Sequence, residues 1–319
     1  MRVITLTPAP AIDRTYQLAS FAVGDVHRAL GVRSELAGKG VNVSRGLAVG
    51  GVSSLAVVPL SSSDVPSVSG DPMIHPSPID APLRVNITVV EEGGRTTKIN
   101  EIPPALSHPE WSALVTSTLD LAHQHEAEWI LLAGTIPRHT DGSEIVVGPL
   151  FEEAHSRGIH IGLDTSGSAL ASLARSGYPD FIKPNAPELA ECVGRSLHTL
   201  GDVVDAAIEV KGWGVTNVLV SLGADGMVGV SDRGTVHASS GPVSVRNTIG
   251  AGDASVAGFL SHLVSHPTDF AGAVGMGVAW GAQKVQEVSS HLQNLDGLPT
   301  VDVTENPDRS RVLEEQGVV

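Results

Sequence analysis

Short apolar runs alternate with longer amphipathic stretches along most of the chain. Val3 to Leu6, Ser54 to Leu60, Trp129 to Ala133, Ile159 to Leu163, Phe181-Ile182 and Asn217 to Ser221 are apolar at most positions, as strands buried on both faces are. Helical spacing of apolar residues predicts helices over 109–123, 145–157, 187–193, 201–211, 254–264 and 270–285. A further helix, Val41 to Val49, follows the turn Ala37-Gly38-Lys39-Gly40. Strands alternating with helices require crossover connections, and so a mostly parallel sheet. Met227 to Val230 and Thr235 to Ala238 read as a hairpin.

Two regions break this rhythm. Thr15 to Phe21 and Val26 to Glu35 alternate as strands of a small antiparallel sheet would. Leu83 to Glu91 and Arg95 to Asn100 flank Glu92-Gly93-Gly94, a hairpin turn. There Val85, Ile87 and Val89 alternate with Arg84, Asn86 and Thr88, giving one apolar and one polar face, as in a sheet that covers a site. Residues 61–82, rich in Ser, Pro and Asp, read as irregular chain, and the tail beyond Asp302 is polar without a readable pattern.

At 319 residues the chain could form one large α/β domain or two. A net charge of −15 argues against a nucleic-acid surface, although a local Lys/Arg cluster could still hold a small phosphorylated molecule. The single cysteine, Cys192, excludes an intrachain disulfide and a cysteine metal cage. The histidines are scattered: His123 and His125, two apart on a helix, do not share a face. Met1 to Leu6 is stopped by Pro8 and Pro10, so it reads as a first strand and not a leader. With no apolar run long enough to span a bilayer, a cytoplasmic location is expected.

The chemistry centres on Asn247-Thr248-Ile249-Gly250-Ala251-Gly252-Asp253, a Gly-rich turn running into a helix. Its glycines allow close backbone approach, and the free first-turn N–H groups suit an anion. A carboxylate there would repel a phosphate, so Asp253 makes sense as a base on an attacking hydroxyl; an Asp favouring the helix dipole is the plainer reading. Other polar motifs follow predicted strands, where ligands of open parallel sheets bind. They are Asp13, Gly134-Thr135-Ile136-Pro137-Arg138, Asp164-Thr165-Ser166-Gly167, Lys183-Pro184-Asn185 and Ser221-Leu222-Gly223-Ala224-Asp225-Gly226.

Together these motifs resemble the ribokinase-type (PfkB) carbohydrate kinase family. Asn247 to Asp253 with Ala257-Gly258-Phe259 resembles its second signature, Ala37 to Asn42 its first, and Lys183-Pro184-Asn185-Ala186-Pro187-Glu188 its Lys-Pro-Asn and Asn-x-x-Glu elements. Residues 38–45, 83–86 and 97–100 resemble the phosphosugar branch that contains 1-phosphofructokinase and tagatose-6-phosphate kinase. Departures are Ala37 for a glycine, Ala9-Pro10 for Asn-Pro, Thr135-Ile136-Pro137 for Ser-Leu-Pro, and the altered stretch 61–82.

The resemblance implies one ribokinase-like α/β/α sandwich over 1–319, with a mostly parallel central sheet and a small β-sheet lid from strands near 14–36 and 83–100. It implies ATP and Mg²⁺ as cofactors and a ketohexose phosphate as substrate, fructose 1-phosphate first, with tagatose 6-phosphate or fructose 6-phosphate as alternatives. A sugar-phosphate-binding homologue without turnover is a further alternative. By the resemblance, Asp253 is the base and Gly250, Ala251 and Gly252 stabilise the transferring phosphoryl. Asp13, Gly38, Lys39, Asn42, Arg84, Asn100 and Arg138 bind the phosphosugar, with Lys39, Arg84 and, as a further candidate, Arg138 on its existing phosphate. Lys183, Asn185, Ser221, Gly223, Gly226 and Thr248 bind nucleotide, and Asn185 and Glu188 hold Mg²⁺. No nucleic acid or membrane partner is expected; the lid either folds over the sugar or pairs with the lid of a second subunit as a homodimer.

Overall fold

The structure, a computed structural model, describes residues 1–317. Its strands are β1 (Val3–Leu6), β2 (Ala11–Leu18), β3 (Gly31–Ala37), β4 (Ser54–Leu60), β5 (Ile74–Pro78), β6 (Arg84–Glu91), β7 (Thr96–Asn100), β8 (Trp129–Ala133), β9 (His160–Asp164), β10 (Phe181–Ile182), β11 (Leu197–Thr199), β12 (Asn217–Ser221), β13 (Met227–Ser231), β14 (Gly234–Ser240), β15 (Val301–Glu305) and β16 (Val312–Gly317). Its α-helices are α1 (Lys39–Val49), α2 (His108–Gln124), α3 (Gly148–Ser156), α4 (Gly167–Arg175), α5 (Ala186–Val193), α6 (Leu200–Lys211), α7 (Ala251–Ser265) and α8 (Phe270–Val285).

Ten strands form the main sheet in the order β15-β14-β13-β12-β10-β9-β8-β1-β4-β5. Pairing is parallel from β5 to β12 and antiparallel from β12 to β15. Successive side chains of a strand face opposite ways, so a strand apolar at every position feeds two cores. Ile4, Leu6, Ile130 and Leu132 join α2 through α6 in one core. Val3, Trp129 and Leu131 join Val43 and Leu47 of α1, Val256 and Phe259 of α7 and Val274 of α8 in the other. The result is the expected α/β/α sandwich. Among the described residues no helix is long and apolar enough to cross a membrane.

The second sheet, in the order β3-β2-β6-β7, rises from the end of β1. It is mixed: β2 runs parallel to β6, a long-range pairing that local alternation does not reveal, while its two outer pairs are antiparallel. The first two strands of this sheet also begin and end elsewhere than expected, at 11–18 and 31–37 in place of 15–21 and 26–35. Register puts Glu35, Asp13, Asn86 and Asn100 in one row across the sheet, on a single face.

Residues 61–82 are more ordered than their composition suggests. They hold a 3₁₀ turn, Val65–Val68, and β5, which pairs with β4 despite Pro76 and Pro78. Prolines are tolerated there because β5 is the sheet's edge and one side of its backbone needs no partner. The polar tail supplies β15, which extends the main sheet, and β16, which pairs with β11. Helix α4 is not among the predicted helices, although Leu170, Leu173 and Ala174 carry helical spacing and face the core, and α1 starts at Lys39, two residues before the expected Val41.

Candidate active site

Strand β1 leads the chain to the rim, and α1 starts against it. A Cβ at Gly38 would lie 2.6 Å from Thr7 Cγ2, and one at Gly40 would lie 2.5 Å from Thr7 Oγ1, so only glycines let the helix start this close. Lys39 and Asn42 are thereby set on the first turn of α1. Helix α7 begins beside it. Gly250 caps α7 in the left-handed region (φ 79°), and a Cβ there would lie 2.0 Å from Ser290 O. Side-chain strain and backbone contact both demand glycine at this position.

Asp253, in the first turn of α7, is buried and accepts a hydrogen bond from Asn42 Nδ2 (2.8 Å). Asp164 ends β9 and is also buried. Its Oδ1 lies 2.9 Å from Lys39 Nζ and 3.9 Å from Lys183 Nζ. Two carboxylates thus share one cationic pocket, but they fare differently. Burial opposes the charge of Asp164, yet Lys183 and Lys39 outweigh it and hold the carboxyl below its usual range. Burial first, then the charge of Asp164, raise Asp253 to about 6 against the Asn42 hydrogen bond and the two lysines. Asp164 keeps its charge while Asp253 can take up a proton near neutrality. Lys39 loses to burial but gains more from Asp164, and its pKa is raised.

Two residues after Lys183, Asn185 caps α5. Its Oδ1 accepts from Glu188 N (2.8 Å), and Glu188 Oε2 accepts from Asn185 N (2.9 Å), a reciprocal capping box. Asn185 also bridges to Ser221 at the end of β12. The turn after β12 is knit by Leu222 N to Gly226 O (2.8 Å) and Asp225 N to Leu222 O (3.0 Å). Gly223 (φ 58°) and Gly226 (φ 88°) give it its left-handed steps, and a Cβ at Gly226 would strike Ala238 O at 2.0 Å. Thr248 is exposed, and its carbonyl accepts from Ala251 N (3.2 Å). Lys183 Nζ would sit 3.4 Å from a Cβ at Gly252, so its ammonium lies over the start of α7.

Toward the lid, Asp13 Oδ1 accepts from Asn86 Nδ2 (3.0 Å), and burial raises its pKa. Arg84 is half-buried, donating to Ala9 O (3.1 Å) and Glu101 O (3.2 Å), and desolvation lowers its pKa. Asn100 is exposed at the end of β7. Lys39 and Arg84 have different partners: the first lies with Asp164 and within electrostatic reach of Asp253, the second bonds Ala9 O of the chain leaving β1 and Glu101 O. Arg138 is tied within its own loop, donating to Gly142 O (3.0 Å) and pairing with Glu144 (3.3 Å), and shares no bond with either. Buried side-chain polar atoms without a partner are rare in native folds. Four of the five found among the described residues, Thr7 Oγ1, Arg84 Nε, Asn86 Oδ1 and Asp164 Oδ2, belong to these same segments.

Sequence reasoning placed Asp164 at the rim but gave it no role, because its value depends on two lysines remote in sequence. Lys284 was missed. It is fully buried in α8 and donates to Asn247 O (3.2 Å), under the turn that opens α7. The signal was available: it is the one charged residue in a helix whose only other polar side chain is Gln283. Asp225, buried and bound to Arg311 (2.6 Å), was read only as part of a turn.

A proton acceptor, a cluster of ammonium groups and an amide-lined helix start facing one rim suit transfer of a charged group to a hydroxyl. The comparisons agree. Residues 75–295 match the pfkB family carbohydrate kinase model. A 1-phosphofructokinase from Rhodobacter capsulatus is 31% identical over 299 residues, covering 92% of this chain and 93% of the relative. One from Haloferax volcanii is 30% identical over 308 residues, covering 93% and 95%. Phosphofructokinase-2 from Escherichia coli has the same fold, with a TM-score of 0.83, 26% identity and coverage of 92% of this chain and 96% of that one. With the family model matching more than half of the chain, this protein belongs to the PfkB family of carbohydrate kinases, sugar kinases that transfer phosphate to an alcohol.

Proposed function

We propose that the chain transfers the γ-phosphoryl of ATP to the free terminal hydroxyl of fructose 1-phosphate, giving fructose 1,6-bisphosphate. The observation that carries this is the pairing of Asp253, raised to about 6, with the charged Asp164 between Lys39 and Lys183 at the start of α7. Asp253 takes the proton of the attacking hydroxyl. The amides of Gly250, Ala251 and Gly252 and the ammonium groups of Lys39 and Lys183 face the charge that develops on the phosphoryl. Ser221, Gly223 and Gly226, with Asn185 and Thr248, hold the nucleotide. Asp13, Gly38, Asn42 and Asn100 hold the sugar, and Arg84, half-buried where β6 meets the chain leaving β1, reads its existing phosphate. Arg138 would have to leave its loop to join it.

Mg²⁺ suits this donor set. The described residues include no group of three or more His, Cys, Asp or Glu that could hold a metal alone, which fits an ion held mostly by phosphate oxygens and water. Glu188 uses one oxygen in the capping box, so its other oxygen is available to the ion's waters. When bound, the ion neutralises charge on the triphosphate.

The chain works as one kinase domain with the β2-β3-β6-β7 sheet as lid. The lid face opposite Asp13 carries Val32 (58% exposed) and Ile99 (55%) beside Ile12, Tyr16, Val85 and Ile87, with Arg14, Ser34 and Thr97 set among them, and a second copy of the chain would cover these apolar positions. A related E. coli phosphofructokinase-2 has a tetrameric inhibited form. Fructose 6-phosphate is the second reading, because that same relative, 26% identical here, was solved with fructose-6-phosphate. Coupled turnover with ATP and Mg²⁺ against fructose 1-phosphate, fructose 6-phosphate, tagatose 6-phosphate and fructose tests the proposal. The highest kcat/KM is expected for fructose 1-phosphate, with loss of turnover in excess chelator. A preference for free fructose would refute the phosphosugar reading, and full activity in chelator would refute the metal.

A further inference from the structure

The tail that closes the chain ends at the candidate nucleotide turn. Asp225 lies at the centre of that turn and is 1% exposed. Its Oδ1 accepts from Arg311 Nη2 (2.6 Å), and its Oδ2 accepts from the backbone N–H of Glu314 (2.7 Å). Both donors come from the C-terminal tail. The carbonyl of Asp225 accepts from His237 Nε2 on β14 (2.7 Å), so the residue is held from a second side. The tail is itself seated: Leu313 is buried in the core, Leu200 N donates to Arg311 O (2.8 Å), and Gly201 N donates to Arg309 O (2.9 Å). Arg309 pairs with Asp205 on α6 (2.6 Å), away from the turn.

We infer that the C-terminal strand is a working part of the nucleotide half of the site. Arg311 and the amide of Glu314 clamp Asp225 and so fix the shape of the Ser221–Gly226 turn. Arg311 is a positioning residue here: it acts through Asp225 and does not touch the reacting groups. The inference rests on the reading that this turn holds the nucleotide.

A buried carboxylate that loses its cationic donor and keeps only the Glu314 amide is under-compensated where it lies. It shifts toward water or other donors, and that shift moves a turn whose geometry Gly223 and Gly226 already restrict to left-handed steps. Ser221 and Leu222 would move with it, since Leu222 N is bonded to Gly226 O across the turn. The sugar half, built on β1, α1 and the lid, shares no bond with the tail among the described residues. Loosening the tail should therefore affect one substrate and spare the other.

The test uses Arg311→Ala, Arg311→Lys and the control Arg309→Ala in the full-length protein. KM for ATP and for fructose 1-phosphate is measured separately, with Kd for ADP in the absence of sugar and the melting temperature. Arg311→Ala is expected to raise KM for ATP and Kd for ADP roughly tenfold, as loss of a charge-assisted hydrogen bond would, with KM for the sugar unchanged. Arg311→Lys, which keeps the charge, should recover most of the loss. Arg309→Ala should lower the melting temperature and leave both KM values alone. If Arg311→Ala fails to fold, Arg311→Lys carries the same comparison with a smaller nucleotide effect. A melting-temperature loss without change in ATP or ADP affinity, or equal changes for both substrates, overturns the inference. Gly223→Val separates the two levels. If it weakens nucleotide binding while the Arg311 variants do not, the clamp fails and the turn stands; if it too leaves nucleotide affinity intact, the turn is not the nucleotide site and both fall.

Discussion

Asparagine at position 253 separates stability from catalysis, because the native carboxylate works against the fold. Burial and the charge of Asp164 raise its pKa from an ordinary 3.8 to about 6. A carboxyl with a raised folded pKa holds its proton more tightly in the native state, so ionising it destabilises that state. The penalty is absent below about pH 4, grows as pH rises to about 6 and is constant above it. About two pKa units correspond to roughly 3 kcal/mol. Asparagine removes the charge, keeps the size and can still accept from Asn42 Nδ2 through its amide oxygen. Allowing for relaxation around the site, Asp253→Asn should be more stable than wild type by about 1–3 kcal/mol at pH 7.5, a rise of several degrees in melting temperature. At pH 5 only about half of the titration range has been crossed, so the gain should fall to about half.

The same substitution removes the proposed proton acceptor, and kcat should fall by at least ~10²-fold with substrate affinity little changed. Scanning calorimetry at pH 5 and 7.5 measures the first effect and coupled ATP turnover the second. A variant that melts below wild type at pH 7.5, or whose gain does not shrink at pH 5, refutes the electrostatic account. A variant with wild-type kcat refutes the base.

Arg84→Ala should lower kcat/KM for fructose 1-phosphate by roughly 10- to 150-fold, mostly through KM, as loss of a hydrogen bond to a charged group would; free fructose should be little affected. Equal losses on both sugars would mean that Arg84, through Ala9 O and Glu101 O, only holds the lid. Lys284→Met removes a cation that interacts with Asp253. The Asp253 pKa should rise further, moving the acid limb of the kcat/KM profile to higher pH and costing roughly 3- to 10-fold at pH 6. A lower melting temperature with an unmoved limb would make Lys284 a packing residue.

The central layer was legible because strands buried on both faces leave no polar position to disguise them, as in Ile130-Leu131-Leu132. Edges were not. Strand β5 carries two prolines and β15 reads Val-Asp-Val-Thr-Glu, since an edge needs neither a full backbone ladder nor two apolar faces. The lid strands were found but their ends and the parallel β2–β6 pairing were not, because register across 70 residues depends on tertiary contacts. The Gly-rich turns were legible for a related reason: Gly38, Gly40 and Gly250 answer steric demands that only glycine meets, and they remain visible as residues. The ion pairs were not. Nothing local links Lys39 to Asp164 or Arg311 to Asp225, 125 and 86 residues apart.

Those long-range pairs explain how a chain of net charge −15 can receive two phosphate-rich reactants. Net charge acts over distances that salt screens, whereas the site is decided within the first few ångströms. There, Lys39, Lys183 and Lys284 surround the start of α7, whose free amides add to their field. The lysines could neutralise both carboxylates and leave no base. They do not, because both reach Oδ1 of Asp164, while Asp253 receives only the neutral amide of Asn42. Asp164 therefore stays ionised and repels a second charge at Asp253, and burial adds to that repulsion. The arrangement that makes the pocket cationic enough to accept phosphate is also what leaves one carboxylate poised to take a proton.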